Sequence, residues 1–275
     1  MGLWEIMGNL PQAISGALFE SLKQSFFGFS QPMLDVAKTL ITSNIEPMHF
    51  ESLWLVFIAI INAFYLLLFM GIGLKFIVGS IDAVEREQSK QWLKKAVFML
   101  VVVNASLLIY SLILQASSGM TTYLWDTQFE TLFSPGFAGL DFIWTGILSL
   151  FIALTTITLI LRQIILIIGI MLFPVGLFLY FIPPLESYGK IILNILGITI
   201  FMQVLDVIIL IAVQAFEGEF AGMVLMSTLA PATAFLLIFI ANVLCLKIAI
   251  EKAMHSVGLK IDLATVAKSA MALAA

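Results

Sequence analysis

Residues 142–182 read FIWTGILSLFIALTTITLILRQIILIIGIMLFPVGLFLYFI, a run of 41 residues in which Arg162 is the one formal charge. A backbone crossing hydrocarbon must pair its own amides, which leaves helices and closed barrels. The run is continuously apolar rather than alternating, and this excludes barrel strands. At 1.5 Å per residue a straight helix of this length spans about 60 Å, twice the roughly 30 Å of a bilayer's hydrocarbon core. It therefore reads either as two spans folded at Arg162–Gln163 or as one overlong crossing that protrudes, bends or holds a re-entrant break. Pro174 is expected to kink the helix. Pro183 and Pro184 should end it, and Tyr188–Gly189–Lys190 completes a turn.

The rest of the chain has the same character. Of 275 residues, 61% are hydrophobic and 11% are charged, against about 25% charged in soluble domains. Mean hydropathy is +1.11. Further spans are expected at Leu53–Leu74, with Lys75 free to snorkel, and at Ala96–Gln115, Ile191–Phe216 and Met223–Leu246. A charged stretch, residues 80–95, follows the first. Residues 116–141 lack Lys and Arg, and Trp125, Phe129, Phe133 and Phe137 recur there every four residues, as in an aromatic interfacial helix. Glu217–Gly218–Glu219 reads as an acidic connector, and Asp262 as the cap of a short closing helix. No secretory leader or lipidation motif is expected. The lone cysteine, Cys245, excludes an intrachain disulfide.

Residues 1–52 are mixed and predict two amphipathic helices, one starting near Asn9–Pro11 and one at Ser30–Pro32. Ile14, Leu18, Leu22 and Phe26 form an apolar stripe on the first, opposite Glu20, Lys23 and Gln24. Such a stripe is a candidate assembly surface; the structural alternative is packing on the protein's own spans. The expected organisation is an interfacial segment over 1–52, a transmembrane bundle over 53–247 and a cytoplasmic tail over 248–275. The fold class is all-α: a polytopic transmembrane helix bundle with five crossings, or six if the long run folds back.

Charge placement separates the two topologies. With 142–182 as one crossing, the segments 80–95, 183–190 and 247–275 share a side and carry nine basic residues; the other side has Lys23 and Lys38. Folding the run at Arg162 turns this into five against seven. Basic residues concentrate on the cytoplasmic side. The uneven split favours five crossings, with the N-terminus outside and the C-terminus inside the cytoplasmic membrane.

Site chemistry is sparse. His49 and His255 have no ligand partner at helical spacing, and no metal cluster or phosphate-binding loop is visible. No serine has a nucleophile-elbow context. Neither an enzyme nor a cofactor or metal is expected. The polar residues at membrane depth are Asn62, Asn104, Arg162, Gln163, Asn194, Gln203, Asp206, Gln214 and Asn242. Arg162 and Asp206 are the only unambiguous deep charges, costly unless they face protein or water. They either line a pore or gate, or form a structural pair that fixes helix packing; Gln203 and Asn104 are candidates for the same roles. Gly71, Gly73, Gly169 and Gly176 would allow close helix approach.

Residues 162–206 read RQIILIIGIMLFPVGLFLYFIPPLESYGKIILNILGITIFMQVLD. An arginine opens an apolar helix with an internal Phe-Pro, and a proline–glycine turn leads into another long span. This resembles the TrbL-type multispan subunits of type IV secretion and conjugation systems, and especially the archaeal CedA-like DNA-exchange proteins, over residues 53–247. The resemblance implies a homo-oligomeric platform or channel moving DNA or protein through the membrane. It also implies a pilus subunit and a cytoplasmic secretion ATPase as partners, with membrane lipid around it and nucleic acid present only as cargo. The competing reading is a small-solute transporter or ion channel, which calls for a midplane site at broken helices of an inverted repeat. No internal repeat is visible.

Overall fold

The structure, a computed structural model, describes residues 3–43, 45–78, 83–125, 142–219 and 224–256. Among these residues there is no strand. The helices are α1 (Leu3–Thr42), α2 (Glu51–Val78), α3 (Ala83–Asn104), α4 (Ser106–Leu124), α5 (Phe142–Phe181), α6 (Glu186–Glu219) and α7 (Val224–Ser256). Among the described residues four stretches are long and apolar enough to cross a membrane: Pro47–Ile77, Gly146–Phe181, Glu186–Phe216 and Leu229–Glu251. A fifth arises if Arg86–Asn104 and Ser106–Leu124, bent by 59°, form one span. The chain is an all-α polytopic membrane protein.

The long apolar run is one unbroken helix, so no hairpin forms at Arg162. It continues through Pro174 and stops at Phe181. Ile182 is extended, at φ −93° and ψ 110°, because a residue before proline is pushed out of the helical region. Pro183–Leu185 then make a single 3-10 turn into α6.

Four expectations need correction. Tyr188–Gly189–Lys190 lie within the first turns of α6 and make no turn of their own. The N-terminal region is one helix of 40 residues, not two. Ser30 caps nothing: its hydroxyl donates to the Phe26 carbonyl 2.5 Å away, one turn back, so Pro32 sits inside the helix. Glu217–Glu219 ends α6 rather than connecting two spans. The expected span Ala96–Gln115 is broken at Ala105, and the charged residues 83–95 form the first half of α3. Neither proline nor glycine marks that break. Asn104 donates to the Leu100 carbonyl at 2.8 Å, and side-chain competition of this kind bends helices. Phe129, Phe133, Phe137 and Asp262 lie outside the described residues.

The chain forms two compact units, residues 1–43, 118–163 and 202–243, and residues 44–117, 164–201 and 244–275; beyond the first, at the end of α1, the boundaries fall inside helices. In lipid, apolar surface gains little by leaving hydrocarbon, so helix association rests on van der Waals contact and interhelical hydrogen bonds. The first unit has both. Leu34, Ala37 and Ile41 of α1 pack with Leu148, Ile152 and Leu159 of α5, Val207 and Leu210 of α6, and Ala234 and Phe235 of α7. Thr155 donates to the Phe235 carbonyl at 2.7 Å, and Thr156 to the Met33 carbonyl at 3.3 Å.

The second unit is built on the stripe Trp54, Ile58, Ile61 and Tyr65 of α2, packed with Met99, Val103, Leu107 and Tyr110 on either side of the bend. The Trp54 indole donates to the Ser106 hydroxyl at 2.9 Å, and Tyr65 to the Met99 carbonyl at 3.3 Å, so both arms of the broken helix are bonded to α2. Tyr110 donates to the Leu166 carbonyl and Ser117 to the Ile200 carbonyl. Small residues set the approach of α5 to its neighbours. A Cβ on Gly169 would overlap Tyr110 and Leu196, one on Gly176 would press on Ile192, and one on Gly189 would strike the Tyr180 backbone and the Gly176 carbonyl. Gly71 and Gly73, expected to act likewise, face open space.

Backbone cannot rotate away from an added methyl as a side chain can. Gly189→Ala is therefore expected to destabilise by about 3 kcal/mol, the upper end of ordinary overpacking, whereas Gly73→Ala should be neutral. Thermal unfolding of the two variants in detergent checks this, and equal melting temperatures would contradict the backbone contact.

Candidate functional site

The deep polar residues of the first unit converge on the carboxyl end of α1. Helix ends leave their last four carbonyls without intrahelical donors and carry partial negative charge. Such an end among apolar helices has no water to satisfy it. The donors come from α5 and α6. Arg162 Nη2 donates to the Leu40 carbonyl at 2.8 Å. Gln163 Nε2 reaches the same carbonyl and the Ser43 hydroxyl, each at 3.1 Å. Gln203 Nε2 donates to the Ile41 carbonyl at 2.6 Å.

Arg162 is 2% exposed and Asp206 is fully buried, with Nη1 and Oδ2 2.6 Å apart. The guanidinium fork thus joins a carboxylate on one nitrogen and a helix end on the other, a geometry that a lysine's single ammonium cannot copy. The other oxygen of Asp206 accepts from Asn242 Nδ2 of α7 at 2.7 Å; Asn242 also donates to the Ile238 carbonyl. Four helices meet in one network: α1 supplies acceptors, α5 the cation and an amide, α6 the anion and a second amide, and α7 a third amide. Gln203 and Asp206 lie three residues apart, on one face of α6. Arg162 is sixteen residues beyond Gly146, and Asp206 ten residues before Phe216, about 24 and 15 Å into their spans. Arg162 Nε, Gln163 Oε1 and Asn242 Oδ1 are buried without a partner among the described residues.

The network contains no nucleophile with an adjacent base, and no group of three potential metal ligands occurs among the described residues. What the arrangement does chemically is hold a helix end at membrane depth and neutralise the cation that holds it.

Of the residues singled out from the sequence, Arg162, Asp206 and Gln203 come together here. Asn104 does not: it is exposed and bonds within its own helix. Of the α1 stripe, Leu18 is 57% and Leu22 39% exposed, Phe26 is half-buried, and Ile14 lies outside the described side chains. Asn242 was one deep amide among several, with no partner assigned. The only sequence signal for its role is that Asp206 has more acceptor capacity than one arginine fills. The carbonyls of Leu40 and Ile41 carry no signal in side-chain identity.

Removing one partner of a buried pair strands the other, at a cost of about 3–5 kcal/mol. Arg162→Ala and Asp206→Ala should each lose stability in that range. A double-mutant cycle with Arg162→Ala/Asp206→Ala should show strong coupling, of at least about 1.5 kcal/mol. Arg162→Lys should recover only part of the loss. Denaturation in mild detergent gives these numbers, and a coupling near zero would contradict the network.

No family model matches this sequence, and no curated protein or solved structure matches it.

Proposed function

We propose that this chain is an integral-membrane platform or channel subunit of a type IV secretion-like machine that moves DNA or protein across the cytoplasmic membrane, and that it works as a homo-oligomer. The observation that carries this reading is where the deep polar groups are directed. Arg162, Asp206, Gln203 and Asn242 bond inside the chain and hold α1. Asn62, midway along the Pro47–Ile77 span, is exposed and has no partner among the described residues. An amide facing lipid at that depth is costly, whereas against another helix it makes a hydrogen bond. A passage formed between copies or with partner subunits fits this distribution better than one bored through a single chain.

The sequence resemblance over 162–206 supports the same reading and supplies the proposed partners, a pilus subunit and a cytoplasmic ATPase. A small-solute carrier would need polar groups near the midplane that are free to take a solute, and the charged pair is already engaged. The proposed orientation places the N-terminus outside and the C-terminus inside, with α2, the bent α3–α4 pair, α5, α6 and α7 as five crossings. It rests on the excess of basic residues on one side.

Two measurements test this. In a Cys245→Ser background, a cysteine at Glu87 should be shielded from an impermeant external thiol reagent, and one at Tyr123 should react; the reverse pattern would overturn the orientation. Deleting the gene in its host should abolish DNA or protein transfer between cells while leaving uptake of small solutes unchanged. Normal transfer with impaired solute uptake would favour the carrier.

A further inference from the structure

Where α2 ends beside the first half of α3, the second unit contains a cavity of about 220 Å³ lined by Leu68, Gly71, Ile72, Lys75, Ser89 and Trp92. A narrower cleft shares Leu68, Ile72 and Trp92 with it and continues past Met99 to Phe181 and Pro183, with Lys95 in its wall. The two together form an apolar slot that carries two ammonium groups. Lys75 Nζ stands 5.3 Å from the centre of the Trp92 ring, a cation–π contact. Both lysines are exposed, and among the described residues neither has a carboxylate within ion-pair distance. Lys90, by contrast, is paired with Glu87, and Lys190 with Glu186.

The position matters as much as the chemistry. Lys75 is in the last turn of α2, three residues before Val78 ends it. That is the level at which a spanning helix leaves hydrocarbon and meets headgroups. A tryptophan beside a lysine is the usual furniture of that level. A free anion would gain nothing from the apolar walls, and a neutral lipid would leave Lys75 with no carboxylate and Lys95 with only the more distant Glu186, which Lys190 already holds. A molecule with a phosphate at one end and a hydrocarbon chain at the other satisfies both halves of the slot.

We propose that this slot is a binding site for one anionic phospholipid. Its phosphate lies between Lys75 and Lys95, and one acyl chain enters along Leu68, Ile72 and Met99. The inference stands on the cavity and its two lysines, neither in contact with a carboxylate among the described residues, and it holds whether or not the chain belongs to a transfer machine.

The test is native mass spectrometry of the full chain, delipidated in neutral detergent and titrated with phosphatidylglycerol, phosphatidylcholine or inorganic phosphate. Wild type should retain one phosphatidylglycerol in preference to phosphatidylcholine. Each basic residue near a membrane surface adds about fivefold to anionic-lipid affinity, so Lys75→Ala/Lys95→Ala should weaken retention about 25-fold. Lys90→Ala/Lys94→Ala, outside the slot, should leave it unchanged, and Ile72→Trp, which fills the slot with all lysines present, should weaken it. Size-exclusion profiles confirm that each variant is folded. Equal retention of the two lipids, an equal loss in the Lys90/Lys94 variant, or displacement of the lipid by millimolar inorganic phosphate would each overturn the proposal. The first would deny headgroup selectivity, the second would mean diffuse surface attraction, and the third a site for free anions.

Discussion

A guanidinium in hydrocarbon needs a counter-charge for its cation and acceptors for its donors, and Arg162 finds these in two different helices. Asp206 supplies the charge, and the end of α1 supplies a carbonyl with no donor of its own. Each is a liability alone. A buried carboxylate without a cation, a buried helix end without donors and a buried arginine without either would all be excluded from a membrane interior. Their mutual dependence determines that α1, which is not apolar enough to count among the spans, nonetheless ends inside the first unit. The contacts of Leu34, Ala37 and Ile41 follow from that placement.

The second unit meets the same constraint with neutral groups. Every long-range side-chain bond described there runs from a hydroxyl or indole to an oxygen on another helix: Trp54 to Ser106, Tyr65 to Met99, Tyr110 to Leu166 and Ser117 to Ile200. Each donor is a side chain that can enter hydrocarbon without carrying a charge. Bonds of this kind are individually modest, about 0.6 kcal/mol on average in a helical membrane protein. Their value lies in direction, because lipid-like side chains otherwise pack almost equally well in several registers. Tyr110 illustrates the coupling: its hydroxyl reaches Leu166 only because position 169, one turn on, has no side chain to block it.

Much of the architecture was legible from apolar run length. The helical class and four of the spans follow from it, and the choice between one crossing and two at 142–182 followed from where lysines and arginines fall. Arg162 and Asp206 could be paired on paper because no other deep charges compete. What escaped notice were features encoded in backbone. Acceptors at Leu40 and Ile41 are peptide carbonyls, identical in every sequence, so the partner of Gln203 and the second partner of Arg162 had no signature. Ser30–Pro32 looked like a helix start because serine and proline favour one, but the hydroxyl can equally bond backwards within a continuing helix, and it does. The break at Ala105 has no breaker residue. The Asn104 amide on the Leu100 carbonyl bends it, and Trp54 and Tyr65 hold its two arms.

The central claim is that the charged network, not apolar contact, keeps the end of α1 in place. Hydrogen–deuterium exchange on the detergent-solubilised chain tests it directly. Amides of residues 34–42 should exchange as slowly as those around Arg162 in α5. In Arg162→Gln they should speed up by more than tenfold, while residues 54–65 of α2 stay protected. Fast exchange over 34–42 in the unaltered protein, or protection there that Arg162→Gln leaves intact, would contradict the account.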